Sequence, residues 1–179
     1  MSQNQIGFIG AGNMGGALLA GIQAKKPEMS TAAYDILPAA CEKARKLGAT
    51  VYASIEELVQ ESEMIVIAVK PQYFGDVFPH IREALQERKK IISITPGFDF
   101  QYLHEKLGDN AVFTRTIPNM PAMVGAGITL MSFEEALTPQ ERQEIRSVFE
   151  CVGTVTEMPE HLLDAGMTAS SASPAFTYM

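Results

Sequence analysis

The feature that most constrains this chain is a glycine cluster near its start, Gly10-Ala11-Gly12-Asn13-Met14-Gly15-Gly16, directly behind the apolar run Ile6-Gly7-Phe8-Ile9. A strand that turns into a helix through three spaced glycines is typical of sites that hold a dinucleotide pyrophosphate. Gly10 permits the tight turn, Gly12 lets the backbone approach the phosphates, and Gly15 lets the helix pack closely on the strand. The anion then lies on unpaired N–H groups at the helix N-terminus.

The surroundings of this motif decide how it is interpreted, because a lone motif of this kind can also be an ordinary flexible loop. A helix-like stretch over Asn13–Lys25 follows it, and a second strand, Thr31-Ala32-Ala33-Tyr34, ends in Asp35. This acid lies about 20 residues beyond the last motif glycine, the distance expected for a carboxylate that hydrogen-bonds an adenosine ribose. The combined pattern favours a dinucleotide site.

Composition and charge narrow the class of protein. A chain of 179 residues has room for one α/β domain, or for one domain and the start of another. It carries no apolar run of the roughly 20 residues that span a membrane and no signal-type N-terminus, so we expect a cytoplasmic protein without a membrane partner. A net charge of −7 argues against nucleic acid as a partner. Two distant cysteines, Cys41 and Cys151, indicate neither a disulfide framework nor a metal site.

Apolar strand-like runs alternate with helical stretches, which indicates an α/β protein with a Rossmann-type doubly wound, mostly parallel sheet and helices on both faces. Strands are predicted at Gln5–Gly10, Thr31–Asp35, Met64–Val69, Lys90–Thr95, Ala111–Ile117, Gly127–Met131 and Gly153–Thr156. Helices are predicted at Asn13–Lys25, Pro38–Leu47, Ile55–Glu61, Tyr73–Glu87, Phe100–Leu107 and Pro139–Glu150, with a further helix beginning at Pro159. The run Met64–Val69 shows no polar alternation and is therefore predicted to be a central strand, buried on both faces.

Ligands of open α/β sheets bind outside the carboxyl ends of the parallel strands, so the residues after each strand are candidates. Two segments stand out besides the glycine cluster: Lys70-Pro71-Gln72 and Pro118-Asn119-Met120-Pro121. Lys70 could act directly or simply extend its amine into solvent. Two prolines bracket Asn119 and hold its amide in a stiff turn.

Together these motifs resemble those of pyrroline-5-carboxylate reductases. The glycine motif alone is shared with 6-phosphogluconate and 3-hydroxyacid dehydrogenases, whereas the Val-Lys-Pro-Gln and Pro-Asn-x-Pro-Ala motifs are more specific. The matching landmarks run in order along the whole chain: Gly7–Gly15, Ala68–Gln72, Pro118–Gly127, Leu163-Asp164-Ala165 and Ser173-Pro174-Ala175-Phe176.

The resemblance implies an oxidoreductase that transfers a hydride from NAD(P)H to the imine of 1-pyrroline-5-carboxylate, a small-molecule substrate, giving L-proline. Because the cofactor carries the difficult step, no catalytic residue is assigned and no metal is expected. His80, His104 and His161 show neither metal nor triad spacing. The implied cofactor-binding residues are Gly10, Ala11, Gly12, Asn13, Met14, Gly15, Asp35, Ala68, Val69, Lys70, Pro71 and Asn119.

Within this set the resemblance assigns Gly10–Gly15 to the pyrophosphate, Ala68–Pro71 to the adenosine and ribose side, and Asn119 to the nicotinamide. Asp35 departs from the family pattern, since many members carry a small polar or basic residue after the second strand and prefer the phosphorylated cofactor. A carboxylate there would repel a 2′-phosphate. We therefore predict that NADH is used at least as well as NADPH.

The resemblance also implies a domain organisation. Residues 1–158 are expected to form the NAD(P)-binding Rossmann domain, and residues 159–179 the first helix of an all-α dimerisation domain that is truncated here. Family members form a homodimer or a higher homo-oligomer through that domain. Two alternatives stay open: a 3-hydroxyacid-type dehydrogenase of the same superfamily, and a truncated, non-catalytic dinucleotide-binding module.

Overall fold

The computed structural model describes residues 4–172, which form one eight-stranded sheet with helices on both faces. The landmark Ser173-Pro174-Ala175-Phe176 therefore lies outside the described residues. The strands are β1 (Asn4–Ile9), β2 (Thr31–Tyr34), β3 (Thr50–Val51), β4 (Ser62–Ile67), β5 (Lys89–Ser93), β6 (Ala111–Pro118), β7 (Gly127–Phe133) and β8 (Gly153–Glu157). The seven predicted strands are confirmed with small shifts at their ends. The two-residue β3 was missed because it is too short to show a hydrophobic period.

The strand order is β3-β2-β1-β4-β5-β6-β7-β8, and the ladders from β3 to β6 are all parallel. Strand β1 is central, and its Phe8 is paired with Ala33 on one side and Val66 on the other. The chain therefore reverses its direction of travel across the sheet between β1 and β4, which is the switch point where such sheets bind ligands.

Strand β7 is antiparallel to β6, and β8 is parallel to β7. The connection from β6 to β7 contains only the short 3₁₀ helix Met120–Val124. A parallel pairing would require a crossover of a dozen residues or more, so this connection can only return the chain in the opposite direction. The predicted doubly wound, mostly parallel sheet is confirmed, with one antiparallel ladder that the sequence pattern did not indicate.

The helices begin close to their predicted positions. They are α1 (Asn13–Lys25), α2 (Pro38–Lys46), α3 (Ile55–Gln60), α4 (Phe74–Ala84), α5 (Phe100–Leu107), α6 (Pro139–Phe149) and α7 (Leu163–Met167). Short turns precede or extend them: 3₁₀ helices at Pro71–Tyr73, Glu150–Val152 and Glu160–Leu162, and a π-helical turn at Thr168–Ala172. Three helices start at side-chain caps, namely Ser54, Asp99 and Thr138.

Strand β4 separates two apolar layers. Val66 packs in the layer that contains α1 and α6, whereas Ile65 and Ile67 pack in the layer that contains α3, α4 and α5. All three residues are fully buried. Successive side chains of a strand point to opposite faces, so an uninterrupted apolar run is what a strand buried on both faces requires. The prediction for this strand is confirmed.

Within residues 4–172, no helix has the length and apolar character needed to cross a membrane. The same part of the chain contains no group of three or more His, Cys, Asp or Glu side chains that could hold a metal ion. Cys41 and Cys151 are both free thiols.

Candidate cofactor site

The glycine turn joins β1 to α1 at the switch point of the sheet. Gly10 has a φ of +100°, and a Cβ there would lie 2.8 Å from the carbonyl oxygen of Ala68. A Cβ on Gly15 would lie 2.2 Å from the carbonyl oxygen of Gly10. Both distances are shorter than real Cβ contacts, so the tight turn and the close approach of α1 to β1 both require glycine. The structural roles predicted for these two glycines are confirmed.

Gly12 differs from its neighbours because no described atom lies within 4 Å of the position a Cβ would take. Gly12 is the N-cap residue of α1, and no side chain caps the helix there. The first turn of α1 also contains no acidic residue. The N–H groups at this helix start are therefore available to an anion, and the positive end of the helix dipole favours one there. The turn fits a pyrophosphate.

Asp35, directly after β2, has both carboxylate oxygens engaged by backbone donors. The N–H of Ala11 donates to Oδ2 at 2.8 Å, and the N–H of Leu37 donates to Oδ1 at 2.9 Å. The side chain thus ties the glycine turn to the loop before α2, a role that the sequence reading did not assign. Asp35 also lines the cleft described next.

A cleft of about 780 Å³ opens above the carboxyl ends of β1, β2, β4 and β5. Its lining includes most of the predicted cofactor residues: Gly10, Gly12, Asn13, Met14, Asp35, Ala68, Val69, Lys70 and Pro71. Ala11 and Gly15 are buried behind the turn and act through the backbone and through packing. The glycine turn, Asp35 and the Ala68–Pro71 segment therefore converge on one cleft, as the carboxyl ends of neighbouring parallel strands must.

The segment after β4 forms one wall of this cleft. The N–H of Ala68 donates to the carbonyl of Ile9 at 2.8 Å, and the hydroxyl of Thr95 donates to the carbonyl of Val69 at 3.1 Å. Pro71 then begins the 3₁₀ helix, and the side chain of Lys70, its N-cap, is exposed. The backbone of this wall is firmly held, while the amine of Lys70 extends from it.

The cleft also contains residues that sequence reasoning missed. Ile36, Leu37 and Tyr73 line it although they are 73%, 60% and 44% exposed, respectively. Exposed apolar side chains on a cleft wall suit a flat, weakly polar group such as an adenine ring. An available signal was the apolar pair that directly follows Asp35, in a loop where polar residues are usual.

The side of the cleft beside α4 carries charges of both signs, since Asp76 and Lys70 both line it. Asp76 and His80 line the cleft, and His80 is hydrogen-bonded to Glu56. The pKa of Glu56 lies below its ordinary value, first because a backbone N–H stabilises its charged form and then because His80 does so. Glu56 does not itself line the cleft and contacts it through His80.

Asn119 lies outside the lining of the cleft. It follows β6 and is 9% exposed, its Oδ1 accepts from the N–H of Ile128 at 2.8 Å, and its Nδ2 donates to the carbonyl of Ser170 at 3.1 Å. The side-chain amide of Asn119 thus joins the end of β6 to β7 and to the turn at Thr168–Ala172. Its assignment to the nicotinamide stays a prediction.

Known proteins resemble this chain along its whole length. Residues 5–97, just over half of the chain, match the model of the family described as NADP oxidoreductase coenzyme F420-dependent. A pyrroline-5-carboxylate reductase of Methanosarcina acetivorans is 32% identical over 181 residues, which cover 99% of this chain and 67% of the relative. The chain therefore spans about two thirds of the length of that relative.

Two solved structures share the fold. A pyrroline-5-carboxylate reductase from Coxiella burnetii matches with a TM-score of 0.92 at 23% identity, over 99% of this chain and 67% of that one. A Plasmodium falciparum pyrroline carboxylate reductase with NADP bound matches with a TM-score of 0.83 at 28% identity, over 98% and 65% of the two chains. At 23% identity, the similarity to the Coxiella structure supports the fold alone.

Proposed function

Because the chain belongs to the pyrroline-5-carboxylate reductase family of NAD(P)-dependent oxidoreductases, we propose that it reduces the imine of 1-pyrroline-5-carboxylate to L-proline. The observation that carries the proposal is the single cleft on which the glycine turn and the Ala68–Pro71 wall converge. A dihydronicotinamide bound there would supply a hydride from its C4 to the imine carbon; the C=N electron pair would move to the nitrogen, which would take a proton from solvent, and the products would be L-proline and the oxidised cofactor.

The residues of this chain bind and orient. We propose that the N–H groups at the start of α1 hold the pyrophosphate over Gly12, where no side chain intervenes. Ile36, Leu37 and Tyr73 would flank the adenine, and the firmly held backbone of Ala68–Pro71 would support the ribose side. Asn119, at the end of β6, would lie toward the nicotinamide end of the site, since it follows a strand farther along the same sheet edge.

Asp35 would set the cofactor preference. Asp35 lines the cleft, and two N–H donors hold its carboxylate in one position. A 2′-phosphate on a ribose bound beside it would meet this charge, whereas an unsubstituted ribose could share a hydrogen bond with the carboxylate. We propose that NADH binds at least as tightly as NADPH.

The preference is tested with Asp35→Asn, using Glu42→Gln on the exposed surface of α2 as the matched control. Like charges about 4 Å apart repel by about 1 kcal/mol in water and by about 4 kcal/mol near a protein surface, so removing one shifts the NADPH-to-NADH affinity ratio by at least about fivefold toward NADPH. The ratio cancels any general damage that the amide causes in the glycine turn. A wild-type protein that binds NADPH clearly more tightly than NADH contradicts the proposal.

The reaction is tested by oxidation of NADH that depends on 1-pyrroline-5-carboxylate, followed by detection of proline. Cofactor binding without turnover of any imine would favour a non-catalytic dinucleotide-binding module. Turnover of a 3-hydroxyacid with NAD⁺, and none of the imine, would favour the dehydrogenase alternative. Either result would refute the proposed substrate while leaving the cofactor site in place.

We further propose that the Rossmann domain ends near residue 158 and that α7 belongs to a helical dimerisation domain. Leu163 of α7 is fully buried against the sheet, while the adjacent Leu162 is 45% exposed and could pack against another helix. Light scattering of the full-length protein should report a homodimer or a higher homo-oligomer. A stable monomer at micromolar concentration would contradict this assignment.

A further inference from the structure

One face of β6, continued by the residue after the strand, contacts the segment that follows β8 at three positions. Residues two apart on an extended chain lie on the same face, so Arg115 and Ile117 of β6 form a row with Asn119, which follows the strand and keeps its extended backbone. Each successive residue of this row contacts a residue that lies farther along the segment from Glu160 to Ser170. The contacts are Arg115 with Glu160, Ile117 with Leu163, and Asn119 with Ser170.

The order of these contacts shows how the segment runs. The residue numbers of the contacts rise together in the row and in the segment, so the segment runs in the same direction as β6. It therefore runs toward the edge of the sheet where the glycine turn lies. Four residues of strand rise about 13 Å. Ten residues of helix rise about 15 Å, so the segment is matched in length to the row beneath it.

Arg115 is the unusual member of the row because it is a buried charge. Its side chain is 7% exposed, Nη1 donates to Oε1 of Glu160 at 3.0 Å, and Nη2 lies 3.8 Å from Oδ1 of Asp164. The same Glu160 oxygen accepts from the N–H of Phe100 at 2.7 Å. Glu160 therefore connects the sheet, the start of α5 and the segment before α7.

This arrangement is poorly explained by stability alone. The Nε of Arg115 is buried without a hydrogen-bond partner among residues 4–172. A buried ion pair often adds no more stability than apolar residues of similar volume, and an unpaired buried donor subtracts from it. What the pair does provide is a defined position, since a guanidinium has a rigid fork that accepts carboxylates in few orientations.

We propose that Arg115 is a positioning residue for the reduction: through Glu160 and Asp164 it fixes the direction in which segment 160–172 approaches the nicotinamide end of the site. The inference rests on the proposed function, because Ser170 of this segment accepts a hydrogen bond from Asn119, which the proposed function places toward the nicotinamide and therefore toward the reacting imine. Arg115 itself does not line the cofactor cleft. Its loss should therefore affect the imine and leave the dinucleotide bound.

The test uses the full-length protein with Arg115→Met, Arg115→Lys and the control Arg88→Met. Arg88 also pairs with a glutamate, Glu141, but it precedes β5 at the opposite edge of the sheet and is half exposed. We expect Arg115→Met to lower kcat/KM for the imine by about 100-fold, since a displacement of about 1 Å can cost that much, with no change in the dissociation constant of NADH. Arg115→Lys should recover part of the activity because it keeps the charge.

Glu160→Gln provides a second variant should Arg115→Met fail to fold, because the amide can still accept from Arg115 and from the N–H of Phe100. Unchanged imine kinetics in both variants would overturn the proposal. So would an equal loss of NADH affinity, since that would indicate general damage. Arg88→Met should match the wild type.

Amide exchange separates this inference from the proposed function. Amides of residues 163–170 should lose protection in Arg115→Met and keep it in Arg88→Met. Suppose that the wild type does not turn over the imine, and that Arg115→Met nevertheless loses protection at residues 163–170. The proposed reaction would then be refuted, and the role of Arg115 in placing the segment would be supported. Unchanged protection would overturn that role whatever the activity.

Discussion

Replacing Gly12 by alanine should separate cofactor binding from folding. No described atom lies within 4 Å of the added Cβ, and the φ of −68° lies outside the left-handed region. At Gly10, by contrast, φ is +100° and the Cβ would lie 2.8 Å from a carbonyl oxygen. Two substitutions that are identical in chemistry and two residues apart should therefore have different effects.

The magnitudes follow from these geometries. Gly10→Ala forces a residue with a side chain into a left-handed conformation and against the backbone, which costs about 2–4 kcal/mol of unfolding free energy. Gly12→Ala should change stability by no more than about 1 kcal/mol, because the added Cβ meets no described atom. Its methyl group would occupy the space above the helix start. Losing one charge-assisted hydrogen bond to the pyrophosphate costs about 1.5–3 kcal/mol, so the dissociation constant rises roughly 10- to 150-fold.

The assay pairs urea unfolding with titration of NADH followed by its fluorescence. Gly75→Ala in α4 serves as the control, because a Cβ there also meets no described atom within 4 Å and Gly75 does not line the cleft. Both Gly12→Ala and Gly75→Ala should unfold like the wild type, and only Gly12→Ala should lose affinity. If Gly12→Ala bound NADH as the wild type does, the pyrophosphate could not lie over the α1 N-terminus and the site would be misassigned.

Three further predictions concern stability and reactivity. Arg88 lowers the pKa of Glu141 from 4.5 to about 2, so the stability that this pair contributes is present above about pH 4.5 and is lost as the pH falls toward 2. Because Arg88 is half exposed, this contribution amounts to about 1 kcal/mol. In Glu141→Gln, the free energy of unfolding measured with urea should therefore change less with pH between 4.5 and 2 than in the wild type. Thr138→Ala removes the hydroxyl that accepts from the N–H of Glu141 and should lower unfolding free energy by about 1 kcal/mol, whereas an unchanged melting temperature would show that the capping box contributes nothing. Burial raises the pKa of the Cys151 thiol, so in a Cys41→Ser background a thiol reagent should label it only after unfolding, and rapid labelling of the native protein would contradict its burial.

Local sequence was sufficient for the elements that depend on neighbouring residues. Helix α1 spans Asn13–Lys25 as predicted, because the glycine turn defines its start and the apolar positions Leu18, Leu19 and Ile22 define its buried face. The uninterrupted run of β4 sufficed to place that strand in the centre of the sheet. The start of α6 followed from the sequence Thr138-Pro139, a cap and a first-turn proline.

Predictions were weaker where the decisive partner is distant along the chain. The direction of β7 depends on a turn that is too short for a crossover, and β3 exists only because β2 offers it a ladder. The apolar residues of the cleft wall, such as Tyr73, have no local pattern that marks them, because their role depends on what faces them across the cleft.

Asp35 and Arg115 show this division most clearly. The sequence by itself determined that an acid follows β2 at the right distance from the glycine turn, because spacing along a βαβ unit is a local property. Only the tertiary structure decided that both of its oxygens accept backbone N–H groups, and that Arg115 meets Glu160 across 45 residues of chain. Hydrogen bonds and ion pairs are short-ranged, so the residues that complete them are defined when strands and helices pack and not before.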